Sequence, residues 1–164
     1  MIDMNAPSGS VPTAGPERYL RPDWFARHVL NPLVAGLTRL GLSVWGSRIL
    51  AVRGRTTGQW RTTPVNVLSV AGGDRYLVAP RGQTHWVRNL RAAGTGELRL
   101  GRRAWTFTAT EVSDADKPAL LRAYLTRWRL EVGMFFGGVG PDAPDDELRR
   151  IAGDHPVFHI EFFH

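Results

Sequence analysis

Two short segments hold most of the residues whose types and spacing could do chemistry. The first runs Arg53-Gly54-Arg55-Thr56-Thr57-Gly58-Gln59-Trp60-Arg61-Thr62-Thr63-Pro64. Its two glycines permit tight backbone conformations whose successive N–H groups can converge on an anion. Three arginines and the early hydroxyls add side-chain donors, and a guanidinium can hold a phosphate through two parallel bonds. The same residues also suit a solvated hairpin turn with its arginines facing water. The second segment, Arg81-Gly82-Gln83-Thr84-His85-Trp86-Val87-Arg88-Asn89-Leu90-Arg91, follows an expected strand directly. A helix starting at Thr84 would turn its N-terminus toward any anion nearby. Trp86, Asn89 and Leu90 fall at helical spacing, so a Trp/Asn face could meet a planar ligand. Alternatively, Trp86 and Leu90 are core contacts and Asn89 is a local cap.

Absences narrow the chemistry. The 164 residues include no cysteine, which excludes disulfides, thiol catalysis and thiolate-held metals. No GxGxxG follows a strand, and neither a Walker loop nor a GxSxG elbow occurs. His155 and His159 sit four apart on an expected strand and would be separated by ~13 Å, too far for one ion. No metal site is expected, and redox activity would have to arrive on an organic cofactor. The formal charge is +6, and Lys117 is the only lysine among 21 basic residues. Residues 48–103 carry 11 arginines against only Asp74 and Glu97. That imbalance calls for an anionic partner: nucleic acid, a phosphorylated cofactor or acidic lipid. Nucleic acid is disfavoured, because the arginines are dispersed through β-structure instead of lying along one helix.

The elements that must position these residues follow from periodicity. Residues 1–16 are small, polar and rich in Pro and Gly, as in a flexible tail, and lack the features of a secretory signal. Residues 17–164 are expected to form a single domain, placed in the cytoplasm. Helical spacing from Asp23 to Trp45, broken at Asn31-Pro32, fits helices packed on the core or lying on a membrane surface. Strands are expected at Ile49–Arg53, Thr62–Val70, Arg75–Ala79, Glu97–Leu100, Arg103–Val112 and Pro156–Phe163. In Thr62–Val70, Val65, Val67 and Ser69 alternate with Asn66, Leu68 and Val70. Thr84 is expected to cap a helix over His85–Ala93, ended by Gly94. Ser113–Asp116 approximates a capping box for a helix to Arg129, and Asp142–Ala152 forms another helix. Antiparallel hairpins with helices before, between and after them favour an α+β barrel or sandwich.

Taken together, the two segments resemble the deazaflavin (F420)-dependent nitroreductase family, a mostly actinobacterial group. Its motif G-R-(K/x)-(S/T)-G-x-x-R-x-x-P-(L/V) stands here as Gly54 to Val65, followed by Arg81-Gly82 and the W-x-x-N-L pattern of Trp86 to Leu90. The ending Ile151–Phe158 is also similar to a subset of these proteins. The resemblance implies an α+β split β-barrel that binds coenzyme F420, with FMN the lesser expectation. It implies cofactor contacts from Arg53, Arg55, Thr56, Thr57, Gly58, Gln59, Arg61 and Pro64 on one side. On the other it implies Ala79, Pro80, Arg81, Gly82, Trp86 and Asn89. The usual lysine after Gly-Arg is Thr56 here, and the connection from Gly82 to Trp86 is short; Arg53 or Arg81 could restore the charge. Tyrosines after the barrel line the substrate pocket in nitroimidazole-reducing relatives, which makes Tyr124, with Trp128, Phe135 and Phe136, the candidate; it sits equally well on an apolar core stripe. The implied activity is hydride transfer from reduced F420 to a quinone, enone or nitro compound. The competing reading is a non-catalytic carrier of F420, lipid or another apolar ligand. Peripheral membrane contact through residues 23–45 is a further expectation; oligomeric state is left open.

Overall fold

A computed structural model describes residues 47–163. The tail at 1–16 and the helices expected over 23–45 lie outside the described residues. Six strands close into an antiparallel barrel in the order β1-β2-β3-β6-β5-β4, returning to β1. They are β1 (Ser47–Arg53), β2 (Trp60–Ser69), β3 (Arg75–Val78), β4 (Thr95–Leu100), β5 (Arg103–Glu111) and β6 (Val157–Phe162). Helix α1 (His85–Ala93) connects β3 to β4, while α2 (Lys117–Val132) and α3 (Asp145–Ile151) lie between β5 and β6. This is the expected α+β split-barrel class. Among the described residues, no helix is long and apolar enough to cross a membrane.

The period-2 pattern of β2 is realised with both faces covered. Val65 and Val67 pack into the barrel interior with Leu50, Val52, Leu77, Leu98, Phe107 and Phe158. Leu68 and Val70 face outward, against Leu121, Tyr124, Leu125 and Trp128 of α2. A sheet face covered by a helix needs apolar residues just as the interior does, which is why β2 carries valine and leucine at both parities. Gly96 stands directly opposite Phe107 in the β4–β5 ladder. A Cβ there would meet Phe107 Cζ at 2.8 Å and the Ala51 carbonyl oxygen at 3.1 Å, so the ring occupies space that only glycine leaves.

Two helix starts differ from expectation. Thr84 occupies the N-cap position of α1, but its hydroxyl makes no capping bond. At Ser113–Asp116 the expected capping box is replaced by a single 3-10 turn, with the Ser113 hydroxyl donating to Asp116 Oδ2 at 2.8 Å. The following helix instead begins at Lys117, whose Nζ donates to Asp114 Oδ1 (2.6 Å) and the Ala152 carbonyl (2.9 Å). The one lysine of the chain is thus a buried tie between the start of α2 and the turn after α3, not part of the basic surface. Helix α2 runs three residues beyond Arg129, through a break in helical dihedrals at Trp128 (φ −121°, ψ 21°). The third helix is shorter than expected, Asp145–Ile151, with a 3-10 turn at Ala152–Asp154.

Candidate cofactor site

Strands β1 and β2 are joined by the loop 54–59, and its backbone closes on itself. Gly54 N–H donates to the Gln59 carbonyl and Gly58 N–H to the Gly54 carbonyl, both at 2.8 Å. Gly58 takes φ +70°, where a side chain is strained. Gln59 N–H donates to the Thr57 hydroxyl at 3.3 Å. The expectation of an open nest of backbone donors is therefore corrected: the N–H groups of Gly54, Arg55, Gly58 and Gln59 are engaged within the protein. What the loop presents to solvent is the side chains of Arg55, Thr56, Thr57 and Gln59.

The ladder sorts the arginines. Val52, which faces the interior, pairs with Arg61, whereas Arg53 pairs with Trp60 on the outer face, as Ile49 does with Pro64. Arg53 lies 4.2 Å from the Trp60 ring centroid and donates Nη1–H to the Gly58 carbonyl at 3.1 Å. It braces the loop from outside, and Pro64 shares that outer face. No carboxylate among the described residues pairs with Arg53, Arg55 or Arg61.

Helix α1 brings the second segment to the same place. Val87 and Leu90 are buried in the barrel cluster, and Trp86 packs half-buried with its ring centroid 6.1 Å from that of Phe158. Asn89 is only 5% exposed. Its Oδ1 accepts both the Arg55 backbone N–H (3.2 Å) and Arg55 Nη1–H (2.8 Å). Asn89 is thus not a local cap; it latches α1 to the β1–β2 loop across 34 residues of sequence. Ahead of α1, Ala79 N–H donates to the Pro156 carbonyl at 2.9 Å, and Gly82 N–H closes a turn onto the Ala79 carbonyl at 3.2 Å. Gly82 is buried with φ +82°. The Arg81 guanidinium lies 6.0 Å from the Phe135 ring centroid. Arg91 grips Glu111 with two bonds of 2.7 and 2.6 Å and also reaches Gln83 at 3.2 Å, fixing α1 against β5. The Glu111 carboxyl is held below its ordinary range, first by these Arg91 bonds.

An anionic ligand bearing a planar ring suits these donors. The Thr84 hydroxyl oxygen is buried without a partner among the described residues, and the first turn of α1 holds no acid to compete with an anion. A deazaflavin with a phosphodiester and carboxylate tail matches that donor set.

Tyr124 lies elsewhere. It is 1% exposed on α2, packed on Trp128 and Phe136 at centroid distances of 5.0 and 6.3 Å. Burial pushes its phenol well above the ordinary value, offset in part by the Asn66 amide of β2. Of the two readings the sequence allowed, the contacts seen among the described residues are those of the apolar core stripe. Tyr124→Phe, which removes one buried hydroxyl and keeps the ring packing, is expected to change stability by no more than about 1 kcal/mol, with reductase turnover unchanged in a steady-state assay. His155, expected on the same strand as His159, lies outside it. It precedes β6, stacks on Phe136 (centroids 4.2 Å apart, 21° between planes), and its Nδ1 is buried without a partner among the described residues. His159 instead faces Asp74 on the barrel exterior at 3.1 Å.

Burial holds His155 below its ordinary value, against the pull of the Ala79 and Pro80 carbonyls and of Asp154; Lys117 adds to the depression. The folded protein thus resists a proton that the unfolded chain accepts near the ordinary value of 6.5. The His155 contribution to stability should be complete above that pH and fall as pH drops below it. Urea titrations at mildly acidic and neutral pH should show this loss in the wild type and a smaller one in His155→Gln.

The family model described as F420H(2)-dependent quinone reductase matches residues 33–130. The chain belongs to this family: it is an oxidoreductase that depends on coenzyme F420. Solved structures share its fold. An F420-H2 dependent reductase, FDR-A, is 16% identical, with 71% of this chain and 94% of that chain covered at a TM-score of 0.51. A domain-swapped dimer is 17% identical, with 85% and 98% covered at 0.52. A protein of unknown function from Agrobacterium tumefaciens is 13% identical, with 93% of this chain but 59% of that one covered at 0.51. No curated protein matches the sequence.

Proposed function

We propose that F420 lies at the α1 end of the barrel, between the β1–β2 loop and the 79–89 segment, and that the substrate is an apolar electrophile of the quinone type. The observation that carries this is the Arg55–Asn89 latch, which joins the two motif segments at one place. Bound in its reduced form, F420 supplies the hydride. The protein's part is to bind and orient. Arg55 and Arg61 offer bidentate donors to the anionic tail, beside the hydroxyls of Thr56 and Thr57 and the Gln59 amide. The turn Ala79-Pro80-Arg81-Gly82 brings backbone close to a ring edge, Thr84 offers its unpaired hydroxyl, and Trp86 contributes an apolar plane. A quinone is favoured over a nitroimidazole because Tyr124, the sole tyrosine after Tyr76, is committed to the core.

Fluorescence titration with oxidised F420 at increasing salt tests the site. Binding should weaken with salt, and Arg61→Ala should cost about tenfold in affinity, the worth of one charge-assisted bond. Anaerobic oxidation of reduced F420 should then run faster with a soluble quinone than with a nitroimidazole. Failure to bind F420 in either oxidation state would overturn the assignment.

A further inference from the structure

We propose that the outer face of β1, beside the 54–59 loop, is a subsite for the run of carboxylates at the end of the F420 tail, built from Arg53, Trp60 and Arg99. The inference rests on the reading above that the loop holds the anionic part of the cofactor. Three strands contribute. Arg53 of β1 pairs with Trp60 of β2, while Ala51 and Ile49, further along β1, pair with Glu97 and Arg99 of β4. Strand alternation puts Arg53, Ala51 and Ile49 on one face. The Arg99 side chain crosses β1 diagonally, so that its guanidinium lies 5.3 Å from the Trp60 ring centroid. The Arg53 guanidinium lies 4.2 Å from the same centroid. One indole, still 39% exposed, thus carries two cations.

Their charge is not balanced within the cluster. Glu97 takes the Arg99 Nε–H and Nη2–H on a single oxygen, Oε2, at 2.9 and 2.8 Å. No carboxylate among the described residues pairs with Arg53. Of its five N–H groups, Arg53 gives one to the Gly58 carbonyl, a bond that sets the guanidinium against the loop presenting Arg55, Thr56 and Thr57. Stacking on a ring face leaves the in-plane donors of a guanidinium available. An anion held at the loop is therefore continued on its outer side by two cations whose rotamers are already restricted, which lowers the entropy lost on binding. A single exposed ion pair is weak. A tail tethered through the rest of the cofactor meets both arginines at high effective concentration, so weak pairs add up. Successive carboxylates on one flexible chain are the ligand class that suits two guanidiniums spaced across one indole.

Titration with two forms of oxidised F420, one stripped of its glutamates and one bearing a long run of them, tests this through deazaflavin fluorescence. The wild type should bind the long-tailed form about fivefold more tightly at low salt, and the preference should shrink as salt rises. In the double variant Arg53→Gln/Arg99→Gln the ratio of the two dissociation constants should fall to about one. The ratio is the readout, because a disturbed loop weakens both forms alike and leaves it standing. Glu97→Gln should move the ratio the other way, by about twofold, since the amide oxygen still accepts from Arg99 but no longer competes as an anion. A wild-type ratio of one, or a preference that survives the loss of both arginines, would overturn the subsite and leave the cofactor assignment intact. If neither form binds, the cofactor assignment falls and the subsite with it.

Discussion

Replacing Asn89 by leucine is expected to destabilise the protein by about 2 kcal/mol and to weaken F420 binding at least about tenfold. Leucine keeps the packing of Asn89 against the barrel but removes the one oxygen that accepts both Arg55 donors. A bond from a charged donor to a buried acceptor lies at the upper end of single hydrogen-bond contributions; the exposure of Arg55 brings the figure down, because water re-solvates the freed guanidinium. The larger consequence is positional. Without the latch, the 54–59 loop keeps its internal bonds but loses its tie to α1, so the two halves of the site no longer share a frame. A double-mutant cycle with Arg55→Ala isolates the term. On the Arg55→Ala background, Asn89→Leu should cost only the backbone N–H contribution. Loss of stability with unchanged F420 affinity would separate the latch from the cofactor and overturn the site.

The second large effect lies in the barrel. Gly96→Ala should destabilise by about 1–3 kcal/mol, as overpacking does, and Gly96→Val by more. The added Cβ meets a fully buried ring and the carbonyl of Ala51, which belongs to the neighbouring strand and cannot rotate away. Phe107→Ala should cost about 3–5 kcal/mol, because the fully buried ring leaves a cavity that closed barrel walls cannot collapse to fill. The two sites are coupled. Gly96→Ala in a Phe107→Leu background should cost less than in the wild type, since the shorter side chain vacates the position of Cζ. Urea midpoints of the four proteins measure this; strict additivity would mean that the ring does not occupy the glycine's space.

Much of this architecture was legible in the chain. The hairpin signals, the alternation in β2 and the glycine at 94 are local properties, and local sterics carry over into the fold with only boundary changes. The same holds for the arginine-rich loop, whose glycines at 54 and 58 announce its tight turn. The misreadings are of long-range arrangement. Thr84 and Ser113–Asp116 have the residue types of helix caps, but Ser113 bonds the Asp116 carboxylate instead and the Thr84 hydroxyl caps nothing. Tyr124 fitted a pocket and a helical stripe equally, and its packing on Trp128 and Phe136 became visible only with α2 docked on the outer face of β2. Arg53 and Arg61 look equivalent along the chain, yet the β1–β2 register turns one onto Trp60 and the other to the opposite face.

By itself, then, the sequence determined the class of chemistry: no thiols, a basic middle third and two motif segments that call for an anionic, redox-active organic partner. Those are statements of composition and short-range spacing, which need no three-dimensional frame. Only the tertiary structure decided that Asn89 reaches Arg55 across 34 residues, that Arg53 lies on the Trp60 ring, that Lys117 is a buried tie, and that His155 stacks on Phe136. Each depends on barrel closure, which brings residues remote in sequence within bonding distance, and no periodicity along the chain encodes which pairs will meet.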